Sequence, residues 1–350
     1  MLRLAAAALV LVSHSFALAG RGEPRLGRTS LGVTGVEIFF AISGFLVAGS
    51  WLAQPRAGTF AFKRALRILP ALALTVALSA FVLGPLATSL PAGDYLRQSG
   101  PARYVGENLL AVGAGDAVGD LAYHLPGVFA TNASSVVNGS LWTLPIEIRA
   151  YLLVLVLGIA GLLRRRLWLV VTAMLVLLAL PDAAAGWAGV GRLVDWRDSH
   201  PDPLLLAVFG VAAVLYVYRE RVPLRPWLAA AALATWAFAT WVLTTAGPLS
   251  NVLVALAVPY LVIYTAYEAP RWLRTLTRPG DVSYGLYLLA FPVQQTILQI
   301  AGRDGLGPLA LLAIAFPATY GLALLSWRLV ERPALSLKRT HLQAAVTRRR

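Results

Sequence analysis

The chain contains no cysteine and only four histidines, His14, His124, His200 and His341, among its 350 residues. Without thiols there can be no disulfide, no thiolate metal centre and no cysteine nucleophile. Four histidines scattered along the length also argue against a zinc site, which needs three or four such ligands brought together. No resident metal or permanently bound cofactor is expected. Charge is scarce as well: Asp, Glu, Lys and Arg make up 13% of the residues, where a soluble domain carries about 25%.

What fills the chain is apolar, 58% of all residues. A bilayer core is crossed by about 20 apolar residues as helix. Ten runs come close to that length: roughly 4–20, 34–53, 66–87, 141–163, 167–187, 203–218, 226–244, 249–266, 282–300 and 308–330, of which the first and sixth are short. They leave no stretch long enough for an appended soluble domain. The expected fold is all-α, a polytopic membrane helix bundle of about ten spans over residues 1–338, with a basic cytoplasmic tail at 339–350.

The net charge of +14 would suit a nucleic-acid partner in a soluble protein. Here the positive-inside rule accounts for it, because cytoplasmic loops collect Lys and Arg. With the N-terminus inside, the inner segments hold Arg56, Lys63, Arg64, Arg67, the run Arg164–Arg166, Arg219, Arg221, Arg225, Arg271, Arg274, Arg278 and the tail from Arg332; the basic residues divide nineteen inside to eight outside. That alternation predicts both termini in the cytoplasm and the lipid bilayer, not nucleic acid, as the partner. One outer segment is long: 88–140, rich in Gly, Pro and polar residues, is expected to be re-entrant or to lie over the outer mouth of the bundle.

Residues 9–20, LVLVSHSFALAG, have the outline of a signal peptide: a charged start at Arg3, an apolar run and a small-residue Ala17-Leu18-Ala19. A cleaved leader has no use for an imidazole, and the charge count fits a cleaved or a retained segment equally. The reading taken is a retained first helix carrying a working His14.

Ionisable groups inside apolar spans are expensive and usually functional. They concentrate in the first four spans: His14 in the first, Glu37 with Ser43 in the second, and Trp142, Glu147 and Arg149 in the fourth. Arg3 and His14 are eleven residues apart, close to whole turns, so they share a helix face about 16 Å apart along the axis. With the second and fourth spans running inward, His14, Glu37 and Glu147 are expected in one layer of the outer half. A carboxylate beside an imidazole fixes its tautomer and raises its basicity. At the cytoplasmic start of the third span, FAFKRALRILP (60–70) places Lys63, Arg64 and Arg67 near the level of Arg3, an arrangement suited to phosphate. Each group also has a plain reading. The basic cluster can be a topological anchor, Glu37 can be solvated at the interface, and Glu147 can be glue between helices. Arg149 can serve chemistry or pair with Glu147. Trp142 reads as an interfacial aromatic, and His124, His200 and His341 as solvated loop or tail residues.

These blocks, in this order, resemble acyltransferase family 3, the integral-membrane O-acyltransferases that include O-antigen acetylases. RLAAAALVLVSH (3–14) is similar to the family's Arg-x10-His pattern. GVTGVEIFFAISGFL (32–46) resembles its glycine–acidic–Phe-Phe–SGFL block, with Glu37 where Asp is common. FAFKRALRILP resembles its F-x-x-R-R-x-x-R-I-x-P block, with Lys63 for the first arginine, and GSLWTLPIEIRAYLL (139–153) and SWRLVERP (326–333) match later landmarks. Two departures stand out. Only Met1-Leu2 precede Arg3 where the family usually has several residues, which leaves open whether the start lies upstream of Met1, and YGLYLLAFPVQQ (284–295) has Ala290 where many members have His.

The resemblance implies an enzyme of the cytoplasmic membrane that takes an acyl group, acetyl above all, from cytoplasmic acyl-coenzyme A. It implies that Arg3, Lys63, Arg64 and Arg67 hold the donor's phosphates. His14 would be the general base on a hydroxyl of a carbohydrate or glycolipid acceptor, oriented by Glu147 or Glu37. Two rival readings are a transporter or flippase for a lipid-linked or acylated small molecule, and a non-catalytic scaffold. A transporter should show repeats and polar residues spread through the bundle; the uneven polar load and the shared face of Arg3 and His14 favour the enzyme.

Overall fold

The structure, a computed structural model, describes residues 1–110, 123–164, 172, 202–243, 248–270, 280–302 and 305–337. In hydrocarbon every backbone N–H and C=O must be paired within its own segment, so long apolar runs become helices. Nine of the ten expected spans are helical among these residues: α1 (Leu2–Leu18), α2 (Leu31–Ala53), α3 (Ala57–Ala87), α6 (Gly139–Ile159), α7 (Asp202–Val217), α8 (Pro226–Val242), α9 (Pro248–Glu268), α10 (Ser283–Ala301) and α11 (Pro308–Leu337). The remaining run, 167–187, lies outside the described residues apart from Thr172. Among the described residues, α2, α3, α6, α9 and α11 are long and apolar enough to cross a membrane, and α1, α7 and α8 are shorter apolar helices. The chain is a multi-pass, all-α membrane protein. A two-stranded hairpin, β1 (Arg25–Leu26) with β2 (Thr29–Ser30), interrupts the helices.

Contacts divide the chain into two compact units. The first comprises Met1–Leu9, Pro24–Phe60 and Ile146–Thr275. Here α2 packs on α7 and α9, and α8 on α9. Small residues let membrane helices approach closely, and α2 supplies them. A side chain at Gly44 would strike the Phe209 backbone carbonyl, and one at Gly49 would strike the Tyr216 ring. The hairpin turn enters α8 where its ladder loosens into a π-turn at Phe238–Val242. Arg28 N–H donates to the Thr240 carbonyl at 3.0 Å, and its guanidinium reaches the Ala239 carbonyl and Ser250. Ser30 then caps α2 by accepting from Val33 N–H at 3.2 Å.

The second unit comprises Val10–Glu23, Ala61–Pro145 and Leu276–Arg350. Its most buried element is α10, packed on α11. The outer segment 88–140, expected to be re-entrant or to lie over the outer mouth, is described at 88–110 and 123–140. Two short helices, α4 (Ala92–Arg97) and α5 (Gly100–Leu110), follow α3. Residues 123–138 are then laced to α10: Gln295 Nε2 donates to the carbonyls of Ser134 and Val136, both at 2.7 Å, and Asn132 Nδ2 donates to Gln295 Oε1 at 2.9 Å. Polar side chains on a buried helix thus satisfy backbone groups that an irregular segment cannot pair by itself.

Candidate active site

The second unit holds His14. On α1 it is flanked by Ser13 and Ser15, both fully buried. The His14 ring stands edge-on to Phe291 of α10, centroids 5.0 Å apart and planes at 81°. A side chain at Gly139 would strike that same Phe291 ring, so the glycine of the GSLW block makes room for the aromatic wall. Gln294, one turn beyond Ala290, donates through Nε2 to the Leu11 carbonyl at 2.9 Å and to Ser15 Oγ at 2.6 Å. This locks the face of α1 that carries His14 onto α10. His14 Nδ1 is buried without a hydrogen-bond partner among the described residues, while the residue as a whole stays partly exposed. Ser13 Oγ donates to Glu23 Oε2 at 2.8 Å, so a carboxylate from the loop after α1 is anchored beside the histidine's chain neighbour.

The same unit carries Lys63, Arg64 and Arg67 on α3, all partly exposed. Arg67 is engaged from α10 and its approach. Its Nη2 meets Asp281 Oδ2 at 2.8 Å, and its guanidinium lies 5.6 Å over the Tyr284 ring. Ser283 Oγ donates to Asp281 Oδ1 at 2.5 Å and fixes that carboxylate. Glu331 of α11 is buried, accepting from Ser326 Oγ at 3.1 Å through Oε1. Any anion bound by Arg67 must therefore compete with, or bridge, its ion pair.

In the first unit Glu147 of α6 is half-buried. Its Oε1 accepts from the Tyr151 hydroxyl, one turn along α6, and from Ser43 Oγ of α2 at 3.4 Å; the two hydroxyls lie 3.3 Å apart. Glu37 stands on α2 but outside this cluster. It is 1% exposed, and both carboxylate oxygens are buried with no partner among the described residues. It is thus not the solvated interfacial carboxylate of its plain reading. Arg3, also in this unit, is partly exposed near the start of α1.

His124 bonds Ser135 Oγ at 3.1 Å in an exposed setting, as expected of a loop histidine; His200 and His341 lie outside the described residues. Tyr151, Gln294, Asp281 and Glu23 are not among the residues that the sequence singles out. The i,i+4 spacing of Glu147 and Tyr151 is a visible signal; the other three depend on pairing beyond one helix. Among the described residues no group of three His, Asp or Glu gathers in a way that would hold a metal.

A family model described as an acyltransferase domain, acyltransferase family 3, matches residues 1–328. The chain belongs to acyltransferase family 3. It is 30% identical over 348 residues to an O-acetyl transferase of Shigella phage Sf6, covering 95% of this chain and 94% of that protein. It is 30% identical over 370 residues to Nodulation protein 10 of Rhizobium leguminosarum bv. viciae, covering 97% and 93%. No solved structure matches the chain significantly. This member of acyltransferase family 3 is therefore an enzyme, and O-acyl transfer is its class of reaction.

Proposed function

We propose that this acyltransferase moves an acetyl group from cytoplasmic acyl-coenzyme A to a carbohydrate hydroxyl at the outer side of the cytoplasmic membrane, with both termini inside. The observation that carries the proposal is the setting of His14. An imidazole sits edge-on to Phe291, on an apolar helix that Gln294 pins through the Leu11 carbonyl and Ser15 Oγ, with one ring nitrogen buried. That leaves Nε2 to meet a substrate. A neutral imidazole there takes the proton of the acceptor hydroxyl as its oxygen attacks the thioester carbonyl. The C–S bond then breaks, and the imidazolium returns the proton to the departing thiolate. In this scheme transfer is direct, which is simpler than an acyl-enzyme route and needs no nucleophilic side chain.

The role of orienting carboxylate falls to Glu147 ahead of Glu37, because hydroxyl donors already hold its carboxyl group in place. Lys63, Arg64, Arg67 and Arg3 are the residues proposed to hold the donor's phosphates. The name of the phage relative supports acetyl as the group and oxygen as the acceptor atom. The inner charge excess supports the sidedness.

The test is transfer of radiolabel from acetyl-coenzyme A to glycan in membranes holding matched amounts of wild type, His14→Ala or Arg67→Ala. Label that reaches glycan with wild type and is lost with His14→Ala supports the base. Loss with Arg67→Ala that recovers at high donor concentration supports a donor-binding role. Equal transfer by His14→Ala and wild type would remove His14 from the mechanism.

A further inference from the structure

The turn between α7 and α8 closes a small cleft in the first unit. Its walls are Phe45 of α2, Leu215 of α7, and Tyr260, Ile263 and Tyr267 of α9, around a cavity of about 150 Å³. The aromatic wall is preset: the Phe45 ring meets Tyr216 at 4.9 Å and Tyr267 at 6.3 Å, both edge to face. The turn is pinned as well, since the Tyr260 hydroxyl donates to the Pro223 carbonyl at 2.8 Å and accepts from Arg225 N–H at 3.1 Å. Of the lining residues only Arg219 is charged. Its guanidinium lies 4.6 Å over the Tyr216 ring, and it pairs with Glu220 at 3.4 Å, a carboxylate that is 86% exposed. An ion pair that open to solvent is weak and yields readily to a better anion. Arg221 and Arg225 share the turn and keep it net positive.

The cleft therefore offers hydrocarbon an apolar slot and offers an anion a cationic mouth. Its aliphatic and aromatic lining favours an apolar guest through the area that such a guest would bury. Basic pockets between helices at the cytoplasmic side select anionic headgroups. We infer that the cleft binds one anionic phospholipid of the inner leaflet, with part of an acyl chain between Leu215 and Ile263 and the phosphate on Arg219. The placement in the inner leaflet rests on the proposed orientation, in which residues 218–225 form a cytoplasmic turn. The cleft shares no lining residue with those proposed for transfer, and nothing in its chemistry requires turnover.

The test is native mass spectrometry of the purified full chain, released from detergent with phosphatidylglycerol or with phosphatidylethanolamine of the same chains. The expected result is one retained phosphatidylglycerol per chain and little phosphatidylethanolamine. Over a titration of the lipid, Arg219→Gln should weaken phosphatidylglycerol binding about fivefold, the factor in affinity for one basic residue at an anionic surface, and Arg219→Lys should keep most of it. Leu215→Trp, which fills the slot, should lower occupancy too; Val222→Phe serves if that variant does not fold. Arg56→Gln, outside the cleft, should change nothing. Equal retention of both lipids, or full retention by Arg219→Gln, would overturn the proposal. So would displacement by glycerol 3-phosphate alone, which would make the site one for a free phosphoester. Acetyl transfer measured on the same preparations keeps a failure here distinct from a failure of the proposed reaction.

Discussion

Asn138 makes the hydrogen bond that Pro292 cannot: its Nδ2 donates to the Leu288 carbonyl at 2.8 Å, across 150 residues of sequence. Proline has no N–H, so inside α10 it orphans the carbonyl four residues before it. Asn138 is fully buried, and its Oδ1 also accepts from Ser140 N–H at 3.0 Å. One amide therefore repairs α10 and starts α6. Asn138→Ala should leave a buried carbonyl unpaired and cost about 1–3 kcal/mol. Asn138→Asp should cost more, because it sets a carboxylate oxygen against that carbonyl. Thermal unfolding of both variants in detergent, compared with wild type, reads the effect; an unchanged midpoint for Asn138→Ala would mean the bond contributes nothing.

A second prediction concerns the seam of α2 and α7. A methyl group at Gly44 meets the Phe209 backbone carbonyl, which cannot rotate away as a side chain could. Gly44→Ala should therefore destabilise by about 1–3 kcal/mol through overpacking. Gly58, in the first turn of α3, is exposed, and a methyl group placed on its Cα would meet no atom within 4 Å. Gly58→Ala should be neutral or stabilising by up to about 1 kcal/mol. The two variants differ from wild type by the same single carbon, so opposite shifts in melting temperature would isolate backbone approach as the cause.

Much of this architecture is legible in the apolar runs, because a helix is the one economical answer to twenty residues in hydrocarbon. The limits of that signal show in α3. The expected span begins at 66, yet the helix begins at Ala57, since the basic turn around Lys63 and Arg64 is helical without being apolar. The order within 123–138 escapes the same signal for a related reason. It comes from Gln295, Asn132 and Asn138, whose partners lie some 150 residues away, and no local pattern announces such pairs. The candidate site divides the same way. His14, Glu37 and Glu147 are visible because charge is costly in a span. Tyr151 shows only through its i,i+4 spacing to Glu147, and Asp281 is hidden because an aspartate in a loop looks ordinary until a partner is seen.

The Arg67–Asp281 pair gives a third prediction. The pair is partly buried, with side chains 18% and 36% exposed, so its strength should exceed that of a surface pair without reaching that of a dry one. Arg67→Ala and Asp281→Ala combined should destabilise less than the sum of the single variants, with a coupling of about 1 kcal/mol. If Arg67 also serves the donor, Arg67→Ala alone should raise the donor KM, and Asp281→Asn should lower it or leave it unchanged by releasing the guanidinium. A higher KM in Asp281→Asn would mean that the aspartate positions Arg67 for the donor instead of competing with it.

The last prediction separates the two roles open to Glu147. If the carboxylate serves only to hold α6 against α2, losing a hydroxyl partner should lower stability and leave turnover alone. If it serves transfer, the hydroxyls of Tyr151 and Ser43 fix the direction of its carboxylate, and their loss should appear in kcat. Hydrogen bonds to a charged group are worth about 1.5–3 kcal/mol, or roughly ten- to a hundredfold in rate if the whole effect falls on the barrier. Tyr151→Phe removes the donor that meets Glu147 Oε1 and keeps the ring, whereas Ser43→Ala removes the longer contact at 3.4 Å. The expected order of kcat is wild type, then Ser43→Ala, then Tyr151→Phe, then Glu147→Gln, with donor KM unchanged throughout. Initial rates of acetyl transfer and melting temperatures taken on the same membranes decide it. A fall in melting temperature across that series at constant kcat would assign Glu147 to helix packing and leave the orientation of His14 to another carboxylate.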